Sequence, residues 1–394
     1  MGKGILKRFF IVVMDSVGCG ALPDAEQYNS QGANTLAHIA SASQLQLPFL
    51  QTLGLGNILP LAGVPAVEAP CAAFGKMASR TAGKDTTSGH WEIAGLVLPQ
   101  PLPTYPQGFP PEVLEPFTAA IGCGVLGNCV ASGTEIIQRL GEEHLATRKL
   151  IVYTSADSVF QVAAHETIYP PERLYEICRI ARRILQGPHG VGRVIARPFL
   201  GHAAGDFYRT ENRRDFSLPP PPHGLLQAVR EHGLTVTSIG KIRDIFAGQD
   251  VDISLPGHTN AESMQSLCEA LATAPDGLVF ANFVDFDMLF GHRNDPTGYA
   301  SALMQFDSGM RQLLPHGLQE GDILAVTADH GNDPTTPGTD HDREYVPLLV
   351  CGAGVRPKPL GIRASFADLG QTAAEYLGAT KLPAGESFLA ELLR

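Results

Sequence analysis

Three apolar segments of this chain run into carboxylates, and imidazoles follow close behind. Phe9–Met14 leads to Asp15. Phe280–Val284 leads to Asp285 and Asp287, with His292 beyond. Ile323–Ala328 leads to Asp329 and His330, and His341 follows eleven residues later. Carboxylate and imidazole together suit Mn²⁺, Zn²⁺, Fe²⁺ or Mg²⁺, and the lack of a plausible cysteine ligand argues against a structural zinc site. Asp15, Asp287, His292, Asp329, His330 and His341 are more ligands than one catalytic ion needs. They fit two ions about 3.5–4 Å apart, the geometry that steadies both attacking and leaving oxygens in phosphoryl transfer. Taken singly, a His after a strand is usually a hydrogen-bonded structural residue, and an Asp there a cap or turn residue. Recurrence at three strand ends favours the metal reading.

A second group is Gly83-Lys84-Asp85-Thr86-Thr87-Ser88-Gly89-His90-Trp91-Glu92. Helix capping accounts for a hydroxyl cluster in front of a helical pattern. So does a nucleophile: a helix N-terminus favours phosphate, and a metal ion lowers a hydroxyl's pKa. Thr86, Thr87 and Ser88 compete for that role. A third group is basic, with Arg193, Arg197, Arg209, Arg213 and Lys241. Arginine offers phosphate a bidentate fork and lysine a point charge, although most such residues are simply solvated.

These side chains need a scaffold that brings distant strand ends together. The outer segments alternate strand and helix signals, as a doubly wound α/β sheet requires, and such sheets bind ligands at the carboxyl ends of their strands. Leu234–Ile239 and Val346–Val350 read as further strands, with Pro347 predicting a late start or an edge position for the latter. Met264, Leu267, Cys268 and Leu271 share one helical face. Tyr299, Leu303, Phe306, Met310 and Leu313 share another, with Pro315 expected to end that helix. Ser365 and Asp368 form a capping-box pattern before another helix. Proline-rich stretches at 99–111 and 219–222 bracket a segment that contains none of the metal-type residues. The expected organisation is therefore a core of residues 1–101 plus 223–394, interrupted by a smaller α+β cap domain at 102–222. Leu150–Tyr153 and Val194–Ala196 are the cap's strands, with a helix through Leu174, Ile177, Ala181 and Ile184 between them.

With 40 acidic against 29 basic residues among 394, the net charge is −11. Such a chain is poorly suited to nucleic acid or anionic membranes, and an anionic substrate must be held by metal ions or a small basic set. Seven scattered cysteines without a C-x-x-C pair predict no disulfide framework and a reducing cytoplasm. Lys3 to Met14 has the outline of a signal peptide, but its apolar run is too short and reads as a buried strand. Nothing approaches the roughly 20 apolar residues of a membrane span.

Four strings together resemble the phosphopentomutase family of the alkaline phosphatase superfamily. They are Met14-Asp15-Ser16-Val17-Gly18-Cys19-Gly20, Gly83-Lys84-Asp85-Thr86 with Ser88-Gly89-His90-Trp91-Glu92, Val284-Asp285-Phe286-Asp287 with Gly291-His292-Arg293, and Thr327-Ala328-Asp329-His330-Gly331-Asn332-Asp333-Pro334 with Gly338-Thr339-Asp340-His341. Tyr153 to Ser158 and Gly192 to Phe199 extend the likeness into the insert. The resemblance implies an alkaline-phosphatase-like core and two divalent ions, Mn²⁺ by analogy. Asp15, Asp329 and His330 would hold one ion, and Asp287, His292 and His341 the other. Thr86 is implied as the phosphorylated nucleophile and a metal ligand. Ser155, Asp157, Arg193, Arg209 and Lys241 are implied to bind a pentose phosphate, with a sugar bisphosphate as activator. The implied reaction interconverts the 1- and 5-phosphates of ribose or deoxyribose. A phosphoglycerate-type mutase, a metal-dependent phosphatase and a non-catalytic binding protein are the alternatives, and Lys84-Asp85-Thr86 speaks against the first. Two positions depart from the family pattern. Ser88 replaces a threonine, and Asp342 follows His341, where it would tune a metal or pair with Arg343. The sequence does not encode the oligomeric state legibly.

Overall fold

A computed structural model describes residues 7–155 and 157–393. Lys3 to Leu6 of the basic start, and Ala156 within the Tyr153–Ser158 string, lie outside the described residues. The chain divides into two compact units, Met1–Gln100 with Pro220–Arg394, and Pro101–Pro219.

The first unit is built on an eight-stranded sheet in the order Ile253–Leu255, Thr235–Ile239, Gly277–Phe283, Arg8–Met14, Asp322–Thr327, Val346–Gly352, Ala73–Met77, Pro359–Arg363. Its central strands are buried along their whole length, which is why they read as near-continuous apolar runs rather than alternating ones. Arg8–Met14 lies between two parallel neighbours, with Met14 beside Phe283 and Val13 beside Thr327. That register brings all three strands to their carboxyl ends at one level. At the opposite end the buried Arg8 guanidinium makes paired bonds to Asp322, of 2.8 and 2.6 Å, and also donates to the carbonyls of Ala270, Leu271 and Ala274. A fork bonded at every prong fixes strand offset as well as satisfying the charge.

Several local expectations are overturned here. Val346–Gly352 is an interior strand, antiparallel to both neighbours, and it starts at Val346. Proline is tolerated because Pro347 is paired on one side only: it faces Lys76, while pairing with Asp322–Thr327 begins at Leu349. Helix Pro296–Gly317 runs past Pro315, whose missing N–H removes one bond without stopping the last turn. Cys268 is exposed, and helix Asn260–Thr273 instead buries Ser263, Ser266, Leu267, Ala270 and Leu271. The two serines are buried because their hydroxyls donate to the carbonyls of Asn282 and Pro256. The Ser365–Asp368 capping box does not form. The Ser365 oxygen accepts from Ala367 N–H at 3.1 Å while its hydroxyl donates to Glu92, but Asp368 does not close the box: it pairs with Arg363 and accepts from Glu386 N–H.

The second unit carries strands in the order Val125–Val130, Leu150–Thr154, Val159–His165, Arg193–Leu200, Tyr208–Arg209, with Arg214–Ser217 also paired to Arg193–Leu200. Leu150 and Val152 enter one core with Val113, Phe117, Leu174 and Ile177 of helices Pro111–Ile121 and Pro171–Ile184. Ile151 and Tyr153 enter the other, with Ile136 and Ile137 of helix Gly133–Thr147. The period of two along one strand thus serves two helical layers.

A candidate dinuclear metal centre

The strand ends of the first unit gather two overlapping ligand clusters. Asp15, Asp329 and His330 each present an atom within 4.8 Å of the others, and Asp287, His330 and His341 do the same. His330 Nε2 lies 3.4 Å from Asp15 Oδ1 and 3.3 Å from Asp329 Oδ2. Both of those oxygens are buried and, among the described residues, lack a hydrogen-bond partner. Buried acceptors without donors are rare because their desolvation goes uncompensated, and a cation between them removes that cost. Asp287 meets His292 Nε2 at 3.1 Å and His341 Nε2 at 3.4 Å, and the two imidazole nitrogens stand 3.2 Å apart. His292 therefore touches both Asp287 and His341, while His330 belongs to both clusters.

Local structure sets the lone pairs. His292 Nδ1 lies 2.6 Å from the Thr339 carbonyl and His330 Nδ1 lies 3.0 Å from the Gly331 carbonyl, so each Nδ1 donates and each Nε2 is the nitrogen that faces the cluster. Asp287 is delivered by a widened π turn, Phe286–Phe290. Asp285, nearer the strand end, turns away and exchanges bonds with Asn260 at the start of its helix. A donor set of carboxylate oxygen and imidazole nitrogen fits divalent ions of the Mn²⁺–Zn²⁺ class.

Thr86 opens helix Thr86–Ile93, and its Oγ1 is 3.0 Å from His330 Nε2. Asp85 caps the helix by accepting from Ser88 N–H, and the Ser88 hydroxyl is bonded back to Asp85. Of the three competing hydroxyls, Thr86 is the one facing the cluster, while Ser88 is committed to the cap. Arg343 anchors the preceding loop through the carbonyls of Thr81 and Gly83. Its ion-pair partner is Asp24 rather than Asp342, whose carboxylate accepts from Asp333 N–H. Of the two roles offered for Asp342, pairing with Arg343 is not the one observed, because Asp24 and backbone acceptors on the Thr86 loop engage the guanidinium.

Lys241 follows strand Thr235–Ile239 and puts Nζ 3.5 Å from Asp15 Oδ2. Burial acts to lower its pKa, but Asp15, Asp287 and Asp329 outweigh that and raise it. Burial works against ionised Asp15 as well, yet Lys241 and His330 hold its carboxyl below the usual range. Asp287 lies well below that range, the cost of burial being exceeded by His341 and His292. Burial lowers the His330 pKa, and the negative charges of Asp329, Asp15 and Asp287 reverse this, pushing it up to about 10. The cluster thus sets ionised carboxylates around positive charge.

Two contributors had weak sequence signals. Asn282 interrupts the apolar strand Gly277–Phe283, and its Nδ2 is 3.1 Å from Asp15 Oδ2 and 3.2 Å from His90 Nε2. His90, one turn after Thr86, lies with Nδ1 3.1 Å from Asp329 Oδ2 and 2.8 Å from the Thr86 carbonyl. A polar amide in a fully buried strand and an i,i+4 Thr–His pair are the clues that could have found them.

The remaining expected site residues belong to the second unit. Ser155 and Asp157 form the turn between Leu150–Thr154 and Val159–His165, with Asp157 N–H donating to Ser155 Oγ at 3.3 Å. Arg193 stands beside Val159, at that same sheet end, with Nη1 3.6 Å from Asp215. Arg209 pairs with Phe199 near the far end of the same strand. The main chains of Arg193 and Arg209 are therefore about 20 Å apart, and these residues are not gathered as the first unit's ligands are.

The chain matches the family model for the metalloenzyme superfamily over residues 7–381. It is 55% identical over 390 residues to a phosphopentomutase of Desulfitobacterium hafniense, covering 98% of this chain and 100% of that one. It is 52% identical over 389 residues to a phosphopentomutase of Caldanaerobacter subterraneus, covering 98% of each. Among solved structures, protein PH0037 of Pyrococcus horikoshii superimposes with a TM-score of 0.50 at 14% identity, over 95% of this chain and 98% of that one, a likeness of fold.

Proposed function

We propose a phosphothreonine relay from one premise: the chain belongs to the phosphopentomutase family, within the metalloenzyme superfamily, and is a metal-dependent phosphomutase. Phosphorylated Thr86 gives its phosphoryl group to the free hydroxyl of a (deoxy)ribose monophosphate, making a bisphosphate. Thr86 then takes back the phosphoryl group from the other position and leaves the isomer. Asp15, Asp329, His330 and Thr86 would hold one ion, and Asp287, His292 and His341 the other, with Mn²⁺ the ion implied by the family resemblance. When bound, the ions neutralise phosphoryl charge and lower the threonine hydroxyl's pKa.

The rest of the site orients and compensates. Asn282 and Lys241 hold Asp15 from its Oδ2 side, leaving Oδ1 free. Helix Thr86–Ile93 aims its N-terminal dipole at the transferring phosphate. Lys241 supplies a fixed positive charge beside the carboxylates. Ser155, Asp157, Arg193 and Arg209 of the 102–222 cap bind the sugar phosphate, on the reading that the catalytic core is 1–101 with 223–394. A sugar bisphosphate primes Thr86. The protein acts in the cytoplasm, in keeping with seven free cysteines. No helix among the described residues is long and apolar enough to cross a membrane.

The observation that carries this reading is Thr86 Oγ1 standing 3.0 Å from His330 Nε2 beside two donorless carboxylate oxygens. The test is a product assay with Mn²⁺ and ribose 1-phosphate, with label chased from a sugar bisphosphate onto the protein. Ribose 5-phosphate should form without free phosphate, and Thr86→Ala should neither take up label nor turn over. Free phosphate as the main product, or turnover of Thr86→Ala at the wild-type rate, would refute the relay.

A further inference from the structure

A buried carboxylate outside the ligand set connects three of the strand-end loops. Glu344 Oε2 accepts from the N–H groups of Gly20, at 2.9 Å, and Thr35, at 3.0 Å. Its Oε1 accepts from the Thr35 hydroxyl at 2.5 Å. That hydroxyl oxygen accepts in turn from Asn332 N–H at 3.2 Å. The Asn332 amide then reaches the ligands, with Nδ2 donating to Asp287 Oδ1 at 2.9 Å and lying 3.5 Å from His292 Nδ1.

Three glycines make this path. A Cβ on Gly18 would stand 2.5 Å from the Glu344 carboxyl, one on Gly331 2.3 Å from Glu344 Oε1, and one on Gly291 2.7 Å from Asn332 Nδ2. Gly18 belongs to the loop after Asp15, Gly331 follows His330, and Gly291 precedes His292. The brace thus packs without a gap against the backbone on which those ligands are mounted. Thr35 opens helix Thr35–Ala42, where the carboxylate of Glu344 also meets the positive end of the helix dipole.

We propose that Glu344, Thr35 and Asn332 form a positioning brace that fixes the carboxylate plane of Asp287 and couples it to the loops carrying Asp15 and His330. Asn332 occupies one face of Asp287 Oδ1 and holds the carboxylate toward His292 and His341. Among the described residues Thr35 has no hydrogen bond to a ligand, yet its hydroxyl joins Glu344 Oε1 to Asn332 N–H. Outer partners of metal ligands commonly control affinity about 10–100-fold through such orientation.

The inference rests on the two-ion reading, and titration of the full-length, metal-free protein with Mn²⁺ by calorimetry tests both. Wild type should bind two ions. Thr35→Val should fold and bind one of them about 10–100-fold more weakly while the other is unchanged. Thr35→Ser, which keeps the hydroxyl, should restore both. Asn332→Ala should reproduce the Thr35→Val defect, and it carries the test alone if Thr35→Val does not fold. Two ions bound with wild-type affinity by Thr35→Val or Asn332→Ala overturn the brace and leave the two-ion centre standing. Failure of wild type to bind a second ion overturns the two-ion reading and the brace with it.

Discussion

Gly89→Ala sets helix propensity directly against tertiary packing. In an isolated helix the change is favourable by about 1 kcal/mol. Here Gly89 lies in helix Thr86–Ile93, and a Cβ would stand 2.2 Å from the Asp329 carbonyl oxygen, 2.9 Å from its carbon and 3.0 Å from its Cβ. These are main-chain atoms and the root of a side chain, with no flexible end to swing aside. Relaxing the closest contact toward the roughly 3.5 Å of an ordinary non-bonded approach needs a shift of about 1 Å. The helix carrying Thr86 or the loop carrying Asp329 and His330 must supply it. Overpacking of this kind costs about 1–3 kcal/mol, which exceeds the propensity gain. A misplacement of about 1 Å at reacting groups costs on the order of 10²-fold in rate. The expected variant is folded, no more stable than wild type, and about 100-fold slower in converting ribose 1-phosphate to ribose 5-phosphate at saturating Mn²⁺. A variant that melts higher and turns over within a factor of three of wild type would show that the helix does not bear on Asp329 as described.

Other perturbations test other parts. His330 carries a proton below about 10 in the metal-free protein, so Mn²⁺ binding near neutral pH should release about one proton, read as a buffer-dependent binding enthalpy; a buffer-independent enthalpy would contradict this. Because its folded pKa is raised, His330 contributes stability that is complete below its unfolded value of 6.5 and lost as pH rises through about 10. The metal-free protein should therefore lose stability across that window in denaturant titrations, and a flat profile would count against the assigned charges. Asp322→Ala strands the fully buried Arg8 guanidinium and should cost about 3–5 kcal/mol in urea unfolding, whereas a loss below 1 kcal/mol would mean that Arg8 finds water. A Cβ on Gly133 would press on Arg209 Nη2 and the Tyr153 hydroxyl, so Gly133→Ala should raise KM for ribose 1-phosphate with kcat little changed. An unchanged KM would argue against Arg209 as a substrate ligand.

Much of the fold is visible in local pattern. Phe9–Met14 and Ile323–Val326 are apolar at every position because both sheet faces are covered, and the strand and helix signals of residues 150–196 fall on Leu150–Thr154, Pro171–Ile184 and Arg193–Leu200. What misled was satisfaction at a distance. Ser263 and Ser266 look like surface positions until carbonyls of Asn282 and Pro256 accept their hydroxyls, which rotates the buried helix face away from Cys268. Pro347 signals an edge, yet an interior strand accommodates it where one neighbour has stopped pairing. Ser365 is a good cap by type and accepts from Ala367 N–H, but Asp368, the other half of the expected box, is taken by Arg363.

Residue chemistry was carried by the chain itself: carboxylates and imidazoles after apolar runs, and hydroxyls at a helix start. Those features are local, spanning a few residues each, and side-chain type decides them. Folding decided which of them meet. Thr86 rather than Ser88 faces His330, Asp287 rather than Asp285 enters the cluster, His90 joins from within the Thr86 string, and Asn282 joins from a strand position without a motif. The reason is register. Only the pairing of Met14 with Phe283, and of Val13 with Thr327, brings three strand ends from three remote parts of the chain to one level, and no local pattern encodes that offset.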